Sequence, residues 1–514
     1  MYSAQTKVCE YSHSLRVLIT IKNMAQHTRT TASTTSSSPQ YTDLLVLGAG
    51  PGGYVAAIRA AQLGLRVTIV EEKYWGGVCL NVGCIPSKAL LKNAEVANIM
   101  LHHATEFGIV ADNISMDFGV AHARSRKVSA NIVKGVHYLM RKNKITEVNG
   151  HGTFCDAHTM EVTTAEGTVT ISFDTCIIAT GSHVAQLPNV EMGGPVVSYE
   201  EQILNPQLPH SIVIVGAGAI GMEFAYVLAN YGVQVTIVEY QDRVLPNEDK
   251  DVSTEIAKQY RKLGITLRTG YKTTAVERTG SDPDSGVAVT IAPVTAADVE
   301  PETIYAERCL ISTGFRPNVE GYGLENTGVE LTQRGAIAVD DVMRTSVSHI
   351  FAIGDVTAKL QLAHVAEAQG VVAAETIAGV ETVSLGDYRM MPRATFCNPQ
   401  VASFGLTEEQ ARAAAENPEL DVRVSTFPFS ANGKAQGLGE AQGFVKIVAD
   451  GHYGELLGAH MVGPHVSELL PELVLAHKWE LTTEEIARTV HVHPTLAEAL
   501  KEATEGVLGT MINL

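Results

Sequence analysis

The hydrophobic positions fall into short apolar runs separated by glycine-rich turns, and one arrangement of them occurs twice. The first copy predicts a strand over 43–47, a turn over 48–53, a helix over 54–63 and a strand over 66–70 that ends at Glu71. The second predicts a strand over 211–215, a turn over 216–221, a helix over 222–231 and a strand over 234–238 that ends at Glu239. The third glycine and the closing acid are 18 residues apart in both copies. A repeat with this spacing predicts two βαβ units of the dinucleotide-binding type.

Each glycine of such a turn has its own physical task. The first permits the tight turn, the second lets the backbone approach a pyrophosphate, and the third lets the helix pack on the strand. The phosphates then lie at the helix N-terminus, where free N–H groups and the helix dipole favour anions. These positions are Gly48, Gly50 and Gly53 in the first copy and Gly216, Gly218 and Gly221 in the second. The closing acid accepts a hydrogen bond from a ribose 2′-hydroxyl. Because the Glu239 carboxylate would repel a 2′-phosphate, the second copy favours NAD(H) over NADP(H).

The remaining pattern predicts how the chain continues around these two units. Residues 265–315 alternate strands and turns, and the apolar run 350–353 predicts a buried strand that returns the chain to the first nucleotide domain. From about residue 388 strands precede helices over 467–479 and 495–508, which is typical of a separate α+β domain. The predicted fold class is therefore α/β, with two Rossmann-like dinucleotide-binding domains and a C-terminal α+β domain. The expected bounds are 41–187 with 316–387 for the first nucleotide domain, 188–315 for the second, and 388–514 for the C-terminal domain.

Composition narrows the class of partner. The chain has 514 residues, is 45% hydrophobic and carries a formal net charge of −18, so neither nucleic acid nor an anionic membrane is expected as a partner. No apolar run reaches the roughly 18 residues that a membrane span needs. Seven scattered cysteines do not form a secreted disulfide framework. Only Cys79 and Cys84 lie close together in the sequence.

This cysteine pair carries the most specific chemistry. A regular helix would separate the two Cα atoms by about 7.5 Å, and a disulfide needs them within about 7 Å. Gly83 between them and Pro86 after them are expected to supply the backbone freedom and the break that close the pair. A small ring closed in a distorted segment is easy to reduce, which favours a catalytic disulfide over a structural one.

The first 40 residues differ from the rest of the chain. They are basic, nearly free of acids and rich in Ser and Thr over 30–38. Three interpretations stay open: an organelle transit peptide, a tail with no role in the fold, or a start assigned too early with Met24 as the true start. We favour the tail.

At this point the motifs resemble a known family. The run Cys-Leu-Asn-Val-Gly-Cys-Ile-Pro-Ser-Lys at 79–88, the two glycine turns, Gly354-Asp355, and His-Val-His-Pro-Thr at 491–495 with Glu498 resemble the dihydrolipoyl dehydrogenases. These are flavoprotein components of 2-oxoacid dehydrogenase complexes. The resemblance covers about 41–514, and the run Lys-Tyr-Trp-Gly-Gly at 73–77 is most similar to the actinobacterial branch.

The resemblance implies FAD and NAD as cofactors. The first glycine turn and Glu71 would hold the ADP half of FAD, while Lys88 would approach the flavin and pair with Glu223. The second glycine turn, Glu239 and Gly314 would hold NAD. Further FAD contacts would come from Gly152, Gly181, Ser182, Asp355, Gln361, Leu362, Ala363 and His364.

The resemblance also implies the reaction, in which a dihydrolipoyl group is oxidised and NAD⁺ is reduced. Cys79 would exchange with substrate and Cys84 would face the flavin. A base with a pKa near neutral is needed, and His493 fits, oriented by Glu498 on the first turn of a helix that Pro494 starts at Thr495. A metal site at His491 and His493 lacks the further ligands that would complete it, and no metal is expected.

The implied partners are a second copy of the chain, lipoyl domains and the acyltransferase core of a 2-oxoacid dehydrogenase complex. Relatives place the histidine of one subunit over the disulfide of the other, so the C-terminal domain would be a dimerisation domain. The expected location is a bacterial cytoplasm, with a mitochondrial matrix as the alternative. The alternative functions are a glutathione- or mercuric-reductase-like enzyme and a protein that acts mainly as a docking subunit.

Overall fold

The computed structural model describes residues 40–280, 282, 285–295, 299–415 and 420–514. Contacts join residues Pro39–Leu514 into one unit. The interpretation of residues 1–40 lies outside the described residues except for Gln40. In the part of the chain that the structure describes, no helix is both long and apolar enough to cross a membrane.

The first nucleotide domain is built on a mainly parallel sheet. The strands of the domain are β1 (Gln40–Leu47), β2 (Val67–Glu71), β3 (Thr146–Asn149), β4 (His151–Asp156), β5 (Thr159–Thr164), β6 (Gly167–Ile178) and β7 (Ser182–Val184), and β7 lies outside this sheet. Its helices are α1 (Pro51–Gln62), α2 (Gly77–Asn81), α3 (Cys84–Asn98) and α4 (Phe118–Lys142), and α3 continues into short turns over Ile99–His103 and Ala104–Phe107. The strand order is β3-β2-β1-β6-β5-β4, and β1 runs parallel to both β2 and β6. The apolar residues of β1 and β2 are buried, as a sheet covered on both faces requires.

The second nucleotide domain repeats this plan. It contains β8 (Val196–Val197), α5 (Tyr199–Leu204), β9 (Ser211–Val215), α6 (Ala219–Asn230), β10 (Gln234–Glu239), α7 (Lys250–Lys262), β11 (Thr266–Thr269), β12 (Tyr271–Arg278), β13 (Val287–Pro293), β14 (Glu302–Ala306) and β15 (Arg308–Ile311). The parallel sheet has the order β11-β10-β9-β15-β8, and β12, β13 and β14 form a separate antiparallel sheet. Strand β16 (Phe315–Pro317) pairs with β7 and leads the chain back to the first domain.

The chain then completes the first sheet, as the pattern predicts. Strand β17 (Ile350–Ala352) pairs in parallel with β6, and a short 3₁₀ turn over Gly354–Thr357 precedes α8 (Ala363–Ala378). Helix α8 packs closely on α1, because a Cβ atom added to Gly370 would lie only 2.6 Å from the Gly52 carbonyl oxygen.

The C-terminal domain is an antiparallel sheet with helices on it. It contains β18 (Arg393–Thr395), β19 (Gln400–Gly405), α9 (Glu408–Ala414), β20 (Val422–Pro428), α10 (Gly433–Leu438), β21 (Phe444–Asp450), β22 (Leu456–Gly463), α11 (Val466–Lys478), α12 (Thr483–Arg488) and α13 (Glu498–Val507). The strand order is β18-β19-β22-β21-β20, and α11 and α13 pack on the sheet. The predicted strand and helix types are confirmed here and in both nucleotide domains, while the three domain boundaries stay predictions.

Three expected details were wrong. Helices α1 and α6 begin at Pro51 and Ala219, three residues before the predicted starts at 54 and 222, because the third glycine of each turn lies within the first turn of the helix. The last helix begins at Glu498 rather than at Thr495, because the Ala499 and Leu500 N–H groups donate to the carbonyl oxygens three residues back, of Leu496 and Ala497, and so form a tighter turn before the α-helix. Pro86 does not break the chain, since it lies in the first turn of α3, where a missing N–H costs little.

We expect the C-terminal core to depend strongly on Phe404, which is fully buried in the sheet. Phe404→Ala should lower the free energy of unfolding of this domain by about 3–5 kcal/mol, because the lost ring leaves a cavity. Guanidinium unfolding followed by circular dichroism measures this. Tyr305→Ala, at a side chain that is 73% exposed, is the control and should change stability by less than about 0.5 kcal/mol. Equal losses in the two variants would contradict the assignment of Phe404 to the core.

Candidate active site

The closing acid of the first repeat is tied to its own glycine turn. The Glu71 carboxylate accepts the Ala49 N–H at 2.7 Å and the N–H groups of Lys73 and Tyr74 at 2.8 Å each. The end of β2 therefore fixes the turn after β1. The acid is already ordered before any ribose reaches it.

The second repeat has the same arrangement. The Glu239 carboxylate accepts the Ala217 N–H at 2.7 Å and the Gln241 N–H at 2.8 Å. Glu239 is buried, whereas Glu71 is half-buried. Each carboxylate retains lone pairs that can accept a hydroxyl, because an ionised carboxylate offers about four acceptor sites.

The glycine turns leave space where a dinucleotide needs it. A Cβ atom on Gly48 would lie 2.3 Å from the Ala179 carbonyl oxygen, and one on Gly216 would lie 2.4 Å from the Ser312 carbonyl oxygen, so the first glycines are required by the protein itself. Conversely, a Cβ atom on Gly50 would meet only the Gly77 Cα at 3.9 Å, and one on Gly218 would meet nothing within 4 Å. The second glycines therefore face open space, and both turns fit a pyrophosphate that approaches the backbone.

One cavity of about 2180 Å³ connects the two turns. It contains both cysteines and every residue expected to touch a cofactor except Gly221. Gly221 is packed beneath the turn, since its Cβ would lie 2.1 Å from the Gly216 carbonyl oxygen. The expected residues that line the cavity are Cys79, Cys84, Gly48, Gly50, Gly53, Glu71, Lys88, Gly152, Gly181, Ser182, Asp355, Gln361, Leu362, Ala363, His364, Gly216, Gly218, Glu223, Glu239 and Gly314.

Cys79 and Cys84 lie side by side across a break between two helices. Helix α2 ends at Asn81, Gly83 adopts φ −128° and ψ −116°, and α3 begins at Cys84. Both residues are half-buried and both are free thiols in this structure. The break therefore brings the sulfurs together as the spacing requires.

The two thiols have opposite acidities. The hydrogen bond between Cys79 and Cys84, with a contribution from the Lys88 charge and against the cost of burial, lowers the pKa of Cys84. The same bond and burial raise the pKa of Cys79. The reduced pair thus carries its negative charge on Cys84.

Lys88 and Glu223 form the ion pair that was expected. The Lys88 Nζ lies 2.9 Å from Glu223 Oε2 and 4.5 Å from the centroid of the Phe396 ring. The Phe396 N–H donates to Glu223 Oε1 at 3.0 Å. This network fixes a cation beside Cys84 and ties helices α3 and α6 to the C-terminal domain.

Asp355 lies in the 3₁₀ turn over Gly354–Thr357 that precedes α8. The Ser182 hydroxyl donates to Asp355 Oδ2 at 2.7 Å. Burial raises the pKa of Asp355, and the Ser182 bond opposes this only in part. Gly152 lines the cavity but is required by packing as well, since its Cβ would lie 2.6 Å from the Met160 sulfur.

His493 and Glu498 are in contact with each other but not with the cysteines. The His493 Nδ1 lies 2.8 Å from Glu498 Oε1. Burial opposes ionisation of Glu498, but the Thr495 N–H and His493 together lower its pKa. The His493 side chain is 78% exposed, and neither residue is among the described residues that line the cavity. Within one chain the dyad is therefore formed but lies outside the lining of the cavity that contains the thiols.

The residues that sequence reasoning missed are Tyr54 and Glu367. Glu367 lines the cavity, and its charge acts on both Tyr54 and Cys79. Burial, and to a smaller extent the charge of Glu367, raises the pKa of Tyr54 to about 12. Burial also raises the pKa of Glu367. No local signal marks these positions, because each lies in an ordinary helical stretch.

Among the described residues, no group of three His, Cys, Asp or Glu side chains is placed to hold a metal ion.

Comparison with known proteins gives consistent matches. Residues 42–370 match the pyridine nucleotide-disulphide oxidoreductase family, and residues 391–504 match the dimerisation domain of that family, which supports a homodimer. The dihydrolipoyl dehydrogenase of Corynebacterium glutamicum is 62% identical over 475 residues, covering 92% of this chain and 99% of that relative. The enzyme of the same name from Mycobacterium tuberculosis is 60% identical over 472 residues, with the same coverage.

Solved structures agree. LpdA from Mycobacterium tuberculosis superimposes with a TM-score of 0.82 at 28% identity, covering 91% of this chain and 99% of its own. The HOCl-induced flavoprotein disulfide reductase RclA from Escherichia coli, in its Cu(II) complex, gives 0.80 at 25% identity, covering 91% of this chain and 100% of its own. FAD and NAD(H) are the cofactors of this group, and both glycine turns fit them. The chain belongs to the dihydrolipoyl dehydrogenase family of the pyridine nucleotide-disulphide oxidoreductases.

Proposed function

We propose that the chain is a dihydrolipoyl dehydrogenase that oxidises protein-bound dihydrolipoyl groups and reduces NAD⁺ to NADH. The observation that carries this proposal is the position of Cys79 and Cys84 in one cavity with both glycine turns. A redox-active sulfur pair between two dinucleotide sites can exchange electrons with both. The match to relatives that carry this name over 92% of the chain supports the same reaction.

The chemistry of the sulfurs follows from thiol–disulfide exchange. A substrate thiolate attacks Cys79 of the oxidised pair, a mixed disulfide forms, and Cys84 leaves as a thiolate. The second substrate thiolate then attacks the substrate sulfur of the mixed disulfide, which closes the lipoyl disulfide and releases Cys79. The substrate loses two electrons and two protons; the cysteine pair gains both electrons and one proton, at Cys79, and the base accepts the other proton. FAD held by the first turn would supply the redox chemistry that links the reduced pair to NAD⁺.

The acidities of the two thiols in the reduced pair suit this exchange. Cys84 is the better leaving group because its pKa is lowered, and a thiol of lower pKa leaves faster. Cys79, with its raised pKa, retains a proton and donates to Cys84. Lys88, fixed by Glu223, would stabilise the Cys84 thiolate beside the flavin.

The base that activates the substrate thiol would be His493 of the partner subunit. Within one chain His493 lies outside the cavity, although its bond to Glu498 holds the imidazole ready to accept a proton at Nε2. A C₂ dimer would bring the dyad of each subunit over the cysteines of the other. The exposed side chain of His493 supports this arrangement, because a free imidazole at a domain surface can enter a neighbouring site.

The cofactors would be divided between the two turns. Glu71 and the first turn would bind the ADP half of FAD, with Asp355 and residues 361–364 along its path to the thiols. Glu239 and the second turn would bind NAD. A 2′-phosphate beside the buried Glu239 carboxylate would be repelled, which disfavours a glutathione-reductase-like enzyme dependent on NADPH.

The substrate carrier would be the lipoyl domain of a 2-oxoacid dehydrogenase complex, docked through the acyltransferase core. The names of the bacterial relatives support this partner and a bacterial cytoplasm. A pure docking role is disfavoured by the ordered thiol pair and its cation. Comparison of lipoamide, glutathione and mercuric ion as substrates separates the proposed enzyme from the other disulfide reductases.

Cys84→Ser should abolish lipoamide turnover, by about three orders of magnitude or more, while FAD stays bound. The serine cannot form a disulfide with Cys79, but the cavity keeps its shape. Steady-state assays and the visible spectrum of the purified variant measure the two effects. Cys155→Ser, at an exposed thiol outside the cavity lining, is the control and should retain full activity. Loss of FAD from Cys84→Ser would argue against the assigned role.

His493→Gln should lower the turnover number by about 10²–10⁴-fold, because the general base is lost.

Whether the base acts between subunits can be tested with a heterodimer of Cys84→Ser and His493→Gln chains, purified through two different tags. One of its two sites would combine an intact thiol pair with an intact partner histidine, so activity should return to about half that of the wild type. An inactive heterodimer would show that each histidine serves its own chain.

Alkylation of Cys84 should depend on pH with a midpoint below that of an ordinary thiol, because its pKa is lowered. Below this midpoint the neutral thiol reacts slowly, and above it the thiolate reacts quickly. Iodoacetamide labelling of the reduced protein, read by peptide mass spectrometry, measures the profile. Lys88→Met should move the midpoint upward, whereas Lys92→Met on the exposed face of the same helix should leave it in place. A profile for Lys88→Met identical to the wild type would remove Lys88 from the account.

A further inference from the structure

A lysine outside the nucleotide domains is buried among carboxylates. The Lys446 side chain on β21 is 3% exposed, and its Nζ lies 2.9 Å from Asp249 Oδ1, 2.8 Å from Asp251 Oδ2 and 2.7 Å from Glu408 Oε2. All three ammonium protons therefore have an acceptor. These four residues are called the Lys446 cluster below.

The Lys446 cluster joins two domains. Asp249 and Asp251 lie at the start of α7 in the second nucleotide domain, while Lys446 and Glu408 belong to the C-terminal domain. Asp249, 1% exposed, also accepts the Asp251 and Glu408 N–H groups at 3.0 and 3.1 Å. The start of α7 is thus held by side-chain and backbone contacts together.

The neighbouring residues extend the same polar contact. Glu248 is buried, accepts the Ser403 hydroxyl at 2.5 Å and lies 3.6 Å from the Arg393 guanidinium. Ser403 and Lys446 both pair with His460 in the sheet, so the three side chains form one row facing residues 248 and 249. Arg393 itself lines the large cavity.

The Lys446 cluster holds one end of a segment that begins directly after Glu239, the acid expected to bind NAD. Residues 240–249 connect Glu239 to Asp249, and the Leu245 N–H donates to the Ala217 carbonyl oxygen in the second glycine turn at 2.9 Å. Tyr240, Gln241, Pro246 and Asn247 of this segment line the cavity. A chain of about ten residues, fixed at one end by the glycine turn and at the other by the cluster, has little freedom to move away from the nucleotide.

The energetic character of the cluster favours a positioning role over a stabilising one. Lys446 and Asp249 are removed from water, whereas Asp251 is 59% and Glu408 29% exposed. Burying the first two charges is costly, and a buried ion pair often contributes no more stability than apolar residues of the same size. What such a cluster does provide is one defined geometry, because any shift leaves a buried charge without a partner.

We propose that Lys446 is a positioning residue for NAD, which fixes the segment 240–249 against the second glycine turn from the C-terminal domain. The proposal rests on the proposed use of NAD by that turn. It makes nucleotide affinity depend on a residue that belongs to another domain and does not line the cavity.

The test uses the FAD-loaded dimer with ADP-ribose, a redox-inert probe of the nucleotide site, in isothermal titration calorimetry. Lys446→Met should weaken ADP-ribose binding by about threefold to thirtyfold. Backbone hydrogen exchange in residues 240–249 should become faster, a change that general loss of stability would not confine to this segment. Reduction of bound FAD by dihydrolipoamide should keep its wild-type rate, because the thiol side of the cavity is untouched.

Two further variants keep the test decisive. Glu408→Gln removes one anion from the cluster and should give a smaller loss of affinity, and it decides the matter if Lys446→Met does not fold. Arg412→Gln removes the exposed partner of Glu408, 2.8 Å away, and should change neither affinity nor exchange.

Unchanged ADP-ribose affinity in a folded Lys446→Met or Glu408→Gln dimer would overturn the positioning role. If wild-type protein binds ADP-ribose but dihydrolipoamide does not reduce its FAD, the proposed function fails while the role of Lys446 is still tested. If wild-type protein does not bind ADP-ribose, the nucleotide role of the second turn and this proposal fail together.

Discussion

The contact between two sulfurs across a helix break is the constraint on which the rest of the site depends. Gly83 permits the break, and it also permits the close approach, since a Cβ at this position would lie 3.0 Å from the Val78 carbonyl oxygen and 3.3 Å from the Cys79 Cα. The hydrogen bond between the two thiols and the Lys88 charge lower the pKa of Cys84, and the same bond with burial raises the pKa of Cys79. The acidity difference between two chemically identical groups is thus a consequence of local backbone geometry and one fixed cation.

Both nucleotide domains fix the shape of an open glycine turn in the same way. A dinucleotide site needs an open turn that nevertheless has a fixed shape. Glu71 and Glu239 provide this by accepting backbone N–H groups from the turn above them, so that each carboxylate acts as part of the protein framework before it meets a ribose. Preorganisation of this kind reduces the ordering cost of binding.

Sequence reasoning succeeded where structure is decided locally. Glycine spacing, apolar runs and the distance to the closing acid predicted both βαβ units, because each pattern is contained in one short stretch of chain. The apolar run 350–353 likewise predicted strand β17, although its partner β6 is distant in sequence. Sequence reasoning failed at Thr495, because hydrogen bonds to carbonyl oxygens three residues back precede the α-helix that begins at Glu498. It also missed Glu367 and the Lys446 cluster, whose partners are distant in sequence. Asp249 and Lys446 are 197 residues apart, and no periodicity records such a contact.

The C-terminal domain therefore has more than one connection to the chemistry. It supplies Phe396 to the Lys88–Glu223 network on the thiol side, and it holds the start of α7 on the nucleotide side. It also carries the His493–Glu498 dyad, and neither residue is among those that line the cavity of its own chain. If the dyad serves the thiols of a partner subunit, as we propose, an isolated chain would have both cofactor sites but no base over the sulfurs. Dimer formation and competence to deprotonate substrate would then be the same event.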